Sequence, residues 1–409
     1  MEKETNTEEK EKFSSLQAIE EASRCLLCYE APCSKACPAK TDPGRFIRAL
    51  RFRNIKGAAE VIRENNSLGG ICALICPTEK LCQKGCSRCG IDRPIEIGKL
   101  QQYITDYETK IGMSVLKVRY HNVGKIAVVG SGPSGLEAAS ILAIHGYEVT
   151  VFEKKEKLGG YLRYGIPSGR LPDNIIDDEI EKMRDLPITF KTNMTIGKDL
   201  PFSSLLTDYD AVLLATGFDS GNNLPMFADK KDVMVAVDFL SKSRNEGYKV
   251  DKDDVCLVIG GGDVGMDVCT TLKSQGVKEV IDVAREPMDE FLASPKELKR
   301  ARDLNISLYD GYTPVSYQDK TVSFRHVRLN SEMNIKADRV FMAVGQRSTL
   351  KFDGLKTDDK GRLVLEGHRT SDSKVFVSGD LTSKDKIAVF AVKEGREAAL
   401  EIISFLGGK

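Results

Sequence analysis

The chain has 409 residues, room for about three domains, with 60 lysines and arginines offset by 60 aspartates and glutamates and 41% hydrophobic residues. Balanced charge gives no bulk field to draw nucleic acid or an anionic membrane, and no apolar run approaches the roughly 18 residues needed to span a bilayer. Neither is expected as a partner, which leaves small molecules and other proteins.

The chain opens with MEKETNTEEKEK, so charged that disorder is expected over residues 1–13. The opening lacks an apolar export signal, so a cytoplasmic location with reduced thiols is expected.

Eight of the eleven cysteines then lie between Cys25 and Cys86. Seven form CxxCxxxxCxxxCP and CPxxxxCxxxC, namely Cys25, Cys28, Cys33, Cys37, Cys76, Cys82 and Cys86, with Cys72 alongside. Thiolates at such intervals can wrap a cubane from successive loop positions, and a cysteine before proline recurs in ferredoxin-type ligand runs, here Cys37-Pro38 and Cys76-Pro77. Disulfides would need an oxidising compartment. Zinc accepts CxxC pairs, but gaps of two, four, three, five and three residues suit two adjacent [4Fe-4S] clusters better. Between the two runs, Asp42-Pro43-Gly44 leads into RFIRALRFRNIKGAAEVIREN with an aspartate cap and a proline at the first helical turn. A helical module held by its clusters is expected from Ser14 to about Tyr120.

From Lys125 the pattern becomes strand, glycine turn, helix, strand. Gly130, Gly132 and Gly135 form G-x-G-x-x-G around Pro133 and Ser134, and Glu153-Lys154 closes the next strand, with Glu153 18 residues past the last glycine. The first glycine of such a motif makes the turn, the second admits a pyrophosphate at a helix N-terminus and the third lets helix and strand pack, while the acid accepts from an adenosine ribose. A near copy follows at Gly260, Gly262 and Gly265, enclosing Asp263 and Val264. Its acid position reads Arg285-Glu286; a carboxylate repels a 2'-phosphate, so Glu286 favours NADH over NADPH, while Arg285 speaks for the reverse. Three further strands end in glycine at the edge of a nucleotide site: DAVLLATG at Gly217, ADRVFMAVG at Ala343-Val344-Gly345, and KVFVSGD at Gly379-Asp380. Asp380 is expected on a ribityl or phosphate group. A helix from about Val389 to Phe405 would bring its N-terminus to the flavin's pyrimidine end.

In this order the segments from about 124 to 409 resemble the flavoproteins with two dinucleotide-binding domains, in which an NAD(P)H domain is inserted into an FAD domain. The resemblance implies an α/β chain: a helical double [4Fe-4S] domain at 1–120, then two Rossmann-like domains, FAD at 121–220 and 341–409 and NAD(H) at 221–340. Cys256 and Cys269 read as core residues, so disulfide reductase chemistry is not expected.

The whole chain resembles the glutamate synthase small subunit-like family, and within it the small subunits of NAD-dependent dihydropyrimidine dehydrogenase, through RCLLCYEAPCSKACP, CPTEKLCQKGC, IEIGKLQQY, the RLP of GIPSGRLP, GGGDVGMDV and the aspartate of VSGD. The five-residue gap between Cys76 and Cys82 favours that branch over the shorter CPAPCExxC run of glutamate synthase. The resemblance implies one cluster on Cys25, Cys28, Cys33 and Cys86, and a second on Cys37, Cys76, Cys82 and Gln101. Cys72 and Cys89 are rival eighth ligands, and from residues alone Gln101 reads as an exposed helical residue. It also implies that Gly159, Gly160, Tyr161, Arg170 and Ile196 lie near the FAD.

The implied chemistry is hydride transfer from NADH to FAD and passage of single electrons through the clusters, with no acid-base side chain required. A (β/α)8 barrel of about 250 residues does not fit after the last helix, so a partner subunit carrying FMN and iron-sulfur clusters is expected to reduce uracil and thymine to their 5,6-dihydro forms, plausibly in a heterotetramer. The alternatives are electron supply to a glutamate synthase large subunit and an NADH:ferredoxin-type electron-transfer module.

Overall fold

The computed structural model describes residues 12–359 and 361–407. Most of the opening segment expected to be disordered lies outside them. Of its described residues, Lys12 pairs with Asp106 at 2.9 Å, and Phe13 packs on the helical core.

The chain divides into two units. The first runs from the start of the described chain to Arg163 and adds Ser168–Gly217 and Lys351 onward; the second takes Tyr164–Pro167 and Phe218–Leu350. The cysteine-bearing module and the first dinucleotide fold therefore share one unit.

In the first unit, the segment read as one helical stretch forms two helices, Pro43–Arg51 and Ile55–Arg63. Asp42 caps the first by accepting from the Arg45 N–H at 3.1 Å, and Asn54 caps the second through the Gly57 N–H at 2.9 Å. The break falls at Arg53, whose φ is +60°. A new cap at Asn54 satisfies donors that a continued helix would have bonded internally. Phe46, Ile47 and Leu50 on one helix and Ala58, Ala59 and Ile62 on the other are buried with Leu100 and Ile104 of the helix Ile97–Lys110.

Beyond this module the unit holds a five-stranded parallel sheet in the order Val375–Val377, Ala211–Leu214, Lys125–Val129, Glu148–Phe152, Ile188–Lys191. The inner strands are apolar on both faces because helices cover both: all of Ala211–Leu214 and all but the first residue of Lys125–Val129 are buried. The crossover helix Pro133–Ile144 packs against the final helix Ala388–Phe405. The edge strand Val375–Val377 comes from beyond the second unit, so the sheet is complete only once the inserted chain has returned.

The second unit repeats the plan with Val233–Val235, Arg339–Met342, Val255–Ile259, Glu279–Val283 and Ser307–Tyr309. A three-stranded antiparallel sheet, Tyr312–Gln318, Thr321–His326 and Glu332–Lys336, packs Val322, Phe324 and Ile335 against its core. Arg244 holds Tyr164–Pro167 to this unit by donating to the Ile166 carbonyl. Among the described residues no helix is long and apolar enough to cross a membrane.

Candidate cofactor sites

The short cysteine loops between Ser15–Ser23 and Pro43–Arg51 meet the turn after Cys82, so that Cys25, Cys28, Cys33 and Cys86 line one recess with Ile47, Ile95 and Ile97 on its walls. Burial, and then repulsion from Cys86 and Cys25, pushes the Cys33 thiol up to about 11. Four thiolates in such a place need the compensating charge of iron. Among the described residues no three His, Cys, Asp or Glu side chains are grouped as for a single metal ion; the four thiols share one recess. The donor set fits a cubane.

Cys37, Cys76 and Cys82 form a second group. Burial, followed by repulsion from Cys72 and then from Cys82 and Cys37, raises the Cys76 thiol, and burial with Cys37 and Cys33 nearby pushes Cys82 up to about 12. Gln101 is 8% exposed, which corrects the residue-level reading of an exposed position. The helix Ile97–Lys110 turns it toward Gly69, whose carbonyl accepts from Gln101 Nε2 at 2.7 Å. That bond spends an N–H and not the Gln101 carbonyl oxygen, the one side-chain atom of glutamine with a lone pair to offer iron. Cys72 is buried within electrostatic reach of Cys37 and Cys76, its Sγ 3.9 Å from Asn66 Oδ1. Cys89 is exposed, with Sγ 3.4 Å from the Gln83 carbonyl. Gln101→Ala is expected to change the electron paramagnetic resonance signal of one cluster while NADH still bleaches the flavin; an unchanged signal would return the eighth position to Cys72 or Cys89.

At the first glycine turn, Gly130 has φ +106° and a Cβ there would lie 2.4 Å from the Ala215 carbonyl oxygen. Gly132, at the start of the helix Pro133–Ile144, has no side-chain cap and open space where its Cβ would point, which fits a pyrophosphate on the free N–H groups. Gly160 lies against this turn, a Cβ on it being 2.7 Å from Gly132 Cα, and Tyr161 opens the short helix Tyr161–Tyr164 behind it. Glu153 is buried and accepts from Ser131 Oγ at 2.6 Å and the Lys155 N–H at 2.9 Å, while Lys154 is exposed. Ser134 Oγ meets Ser378 Oγ at 2.7 Å, which seats Gly379 and Asp380 beside the same turn. Burial raises the Asp380 carboxyl, with Lys386 opposing. Thr216 Oγ1, just before Gly217, is buried without a partner, an orphan that a ligand would satisfy. Arg170 and Ile196 are half-buried in this unit, Ile196 bridging to Leu200. The residues present fit a dinucleotide.

The second turn mirrors the first: Gly260 has φ +138° and a Cβ would lie 2.3 Å from the Ala343 carbonyl oxygen. Gly262 again faces open space. Gly265 is buried and Val264 packs on the core. Asp263 Oδ1 accepts from the Ser294 N–H at 2.8 Å. Val344 and Gly345 are tied to Asn222, whose N–H donates to the Gly345 carbonyl at 2.9 Å. Glu286 accepts from the exposed Arg285 at 3.1 Å.

Sequence reasoning missed a buried polar joint in the first unit. Arg63, 2% exposed, donates to Glu108 on the Gln101-bearing helix and to Glu179 on Asp173–Glu181, each at 2.6 Å, and to the Ser67 carbonyl. Glu137 on the glycine-turn helix accepts from the Ser67 N–H at 2.8 Å and from its hydroxyl. Only the burial of long charged side chains marks these residues, and burial is invisible before folding.

Two thiol groups and two glycine-turn dinucleotide folds on one chain define an iron-sulfur flavoprotein oxidoreductase that uses [4Fe-4S] clusters, FAD and NAD(H). Residues 2–113 match the family described as dihydropyrimidine dehydrogenase domain II, 4Fe-4S cluster; residues 128–176 match an NAD(P)-binding Rossmann-like domain; and residues 186–395 match pyridine nucleotide-disulphide oxidoreductase. The NAD-dependent dihydropyrimidine dehydrogenase subunit PreT of Escherichia coli K12 is 48% identical over 97% of this chain and 96% of its own length. The glutamate synthase [NADPH] small chain of the same organism is 29% identical over 97% of this chain and 93% of its own. In fold, Mycobacterium tuberculosis FprA in complex with NADPH aligns with a TM-score of 0.62 at 19% identity, covering 70% of this chain and 85% of that one. The chain belongs to the family of the NAD-dependent dihydropyrimidine dehydrogenase subunit PreT.

Proposed function

We propose that this chain is the NADH-oxidising half of a dihydropyrimidine dehydrogenase, whose partner, an FMN and iron-sulfur subunit, reduces uracil and thymine to their 5,6-dihydro forms. When bound, FAD would supply the hydride-accepting chemistry and the clusters single-electron transfer toward the partner. The observation that carries the reading is the placement of the four-thiol recess and the first glycine turn in one unit.

The parts of the chain have distinct tasks. Gly130, Gly132, Gly135, Glu153, Gly160 and Asp380 hold the FAD; Gly260, Gly262, Gly265 and Glu286 hold NADH; Cys25, Cys28, Cys33 and Cys86 take one cluster, and Cys37, Cys76, Cys82 and Gln101 the other. Two exposed apolar residues, Leu26 and Tyr29 (94% exposed), flank Cys25 and Cys28, which suits contact with a protein electron acceptor. A cytoplasmic heterotetramer is the assembly we assign.

NADH is the preferred donor because Arg285 is already paired with Glu286, whose carboxylate meets a 2'-phosphate with repulsion. Glu286→Lys is expected to shift the NADH to NADPH ratio of kcat/KM toward NADPH by about tenfold or more, the equivalent of roughly 1.4 kcal/mol; an unchanged ratio removes Glu286 from this role. The function itself is tested by anaerobic uracil-dependent NADH oxidation with this chain alone and with a co-expressed pyrimidine-reducing partner. Activity only in the mixture is expected. Flavin bleaching by NADH without uracil turnover in either sample would overturn the pyrimidine reading and direct the acceptor search to glutamate synthase or ferredoxin.

A further inference from the structure

Glu137 is fully buried on the helix that begins at the first glycine turn, two residues past Gly135. One carboxyl oxygen accepts from both the N–H and the hydroxyl of Ser67; the other, Oε1, has no partner. Ser67 lies two residues before Gly69, whose carbonyl holds Gln101. Glu137 thus joins the dinucleotide turn to the segment that positions the second cluster's glutamine.

We propose that Glu137 is a proton acceptor coupled to the second cluster, taking one proton from water when that cluster gains one electron. Electron and proton balance: the electron comes from NADH by way of the flavin, the carboxylate becomes a carboxylic acid, and the proton returns to water when the electron leaves for the acceptor. An added negative charge in a low-dielectric interior raises the proton affinity of a nearby acid, and a free oxygen with no donor aimed at it is where that proton would reside. Burial pushes the carboxyl up to about 7, with the two Ser67 donors, Arg396 and Arg63 pulling the other way, so the group is poised near neutrality.

The surroundings support the assignment. Arg396 faces Glu137 from the helix Ala388–Phe405 and Arg63 from Ile55–Arg63, but Arg63 is committed to Glu108 and Glu179. Cys72 feels the Glu137 charge from the helix Gly69–Ile75. Asp380 lies in the turn packed on the start of the same helix, and the buried residues of the strands Lys125–Val129 and Glu148–Phe152 are apolar. Ser140, one helical turn on, has a buried hydroxyl without a partner and offers a relay for the proton.

The inference rests on the assignment of Cys37, Cys76, Cys82 and Gln101 to the second cluster, whose signal is identified as the one that Gln101→Ala moves. The test is a redox titration of the complete protein, followed by electron paramagnetic resonance from pH 6 to pH 8. The wild-type midpoint potential of the second cluster is expected to fall with rising pH, up to about 59 mV per unit, the equivalent of tenfold in proton activity per electron. In Glu137→Gln it should become independent of pH, and the first cluster should be unaffected in both. A second cluster that is present but has the same slope in wild type and variant overturns the proton coupling alone. If Glu137→Gln fails to fold, reduced-minus-oxidised infrared difference spectra of the wild type decide instead: a protonated carboxyl band must appear on reduction, and its absence overturns the proposal.

Discussion

Arg63→Ala is expected to destabilise the protein by about 3–5 kcal/mol, the cost of breaking a buried ion pair by removing one partner. The side chains of Arg63, Glu108 and Glu179 are all 1–2% exposed, so truncation strands the Glu108 carboxylate away from water and removes the main counter-ion of Glu179. Lys182 still reaches Glu179 at 2.9 Å and moderates the loss there. The same joint predicts acid sensitivity. Burial alone would raise the Glu179 carboxyl, but Arg63 and Lys182 outweigh it and hold it at about 2. A carboxyl depressed below its unfolded value of about 4.3 contributes stability that is complete above that value and is lost as pH falls toward 2. Anaerobic thermal unfolding should show a lower Tm for Arg63→Ala at pH 7 and a smaller further loss between pH 5 and pH 3 than in wild type. Equal Tm values would mean that the unit does not depend on this joint. Because Glu108 shares a helix with Gln101, the variant should also broaden the second cluster's signal.

Gly130→Ala is expected to abolish FAD retention. A side chain at φ +106° costs of order 1–3 kcal/mol in backbone strain. Its Cβ would also approach the Ala215 carbonyl oxygen to 2.4 Å, and relieving such overpacking costs typically 1–3 kcal/mol more. That oxygen belongs to backbone at the end of a buried strand and cannot swing aside, so the turn must shift, and the helix N-terminus proposed to meet the pyrophosphate moves with it. The flavin absorbance of purified Gly130→Ala should fall to a small fraction of wild type while the iron content holds. Full flavin occupancy would mean that the first turn is not the FAD site. Gly260→Ala, with its Cβ 2.3 Å from the Ala343 carbonyl oxygen, is the matched control, expected to lose NADH binding and keep its flavin.

Local chemistry made much of this legible. Strand, glycine turn and helix occupy neighbouring positions, so Gly130 and Gly260 could be read with their partners Glu153 and Glu286. The cysteine intervals likewise announced clusters. The helix break at Arg53 was harder to see, because Asn54 competes as a new cap only against a sequence that would otherwise continue the helix.

The amino-acid sequence by itself determined two dinucleotide-binding turns and the thiols available to iron, because each is written in residues close along the chain; that one dinucleotide fold interrupts the other came from the family resemblance. The family resemblance had already implied that Cys86 joins Cys25, Cys28 and Cys33, and the structure lines one recess with all four; only the tertiary structure decided that Gln101 turns inward to Gly69 and that Arg63, Glu108, Glu179 and Glu137 form a buried polar joint. The physical reason is that an ion pair or a buried acid acquires its strength from desolvation, and which side chains lose water is settled when distant segments pack.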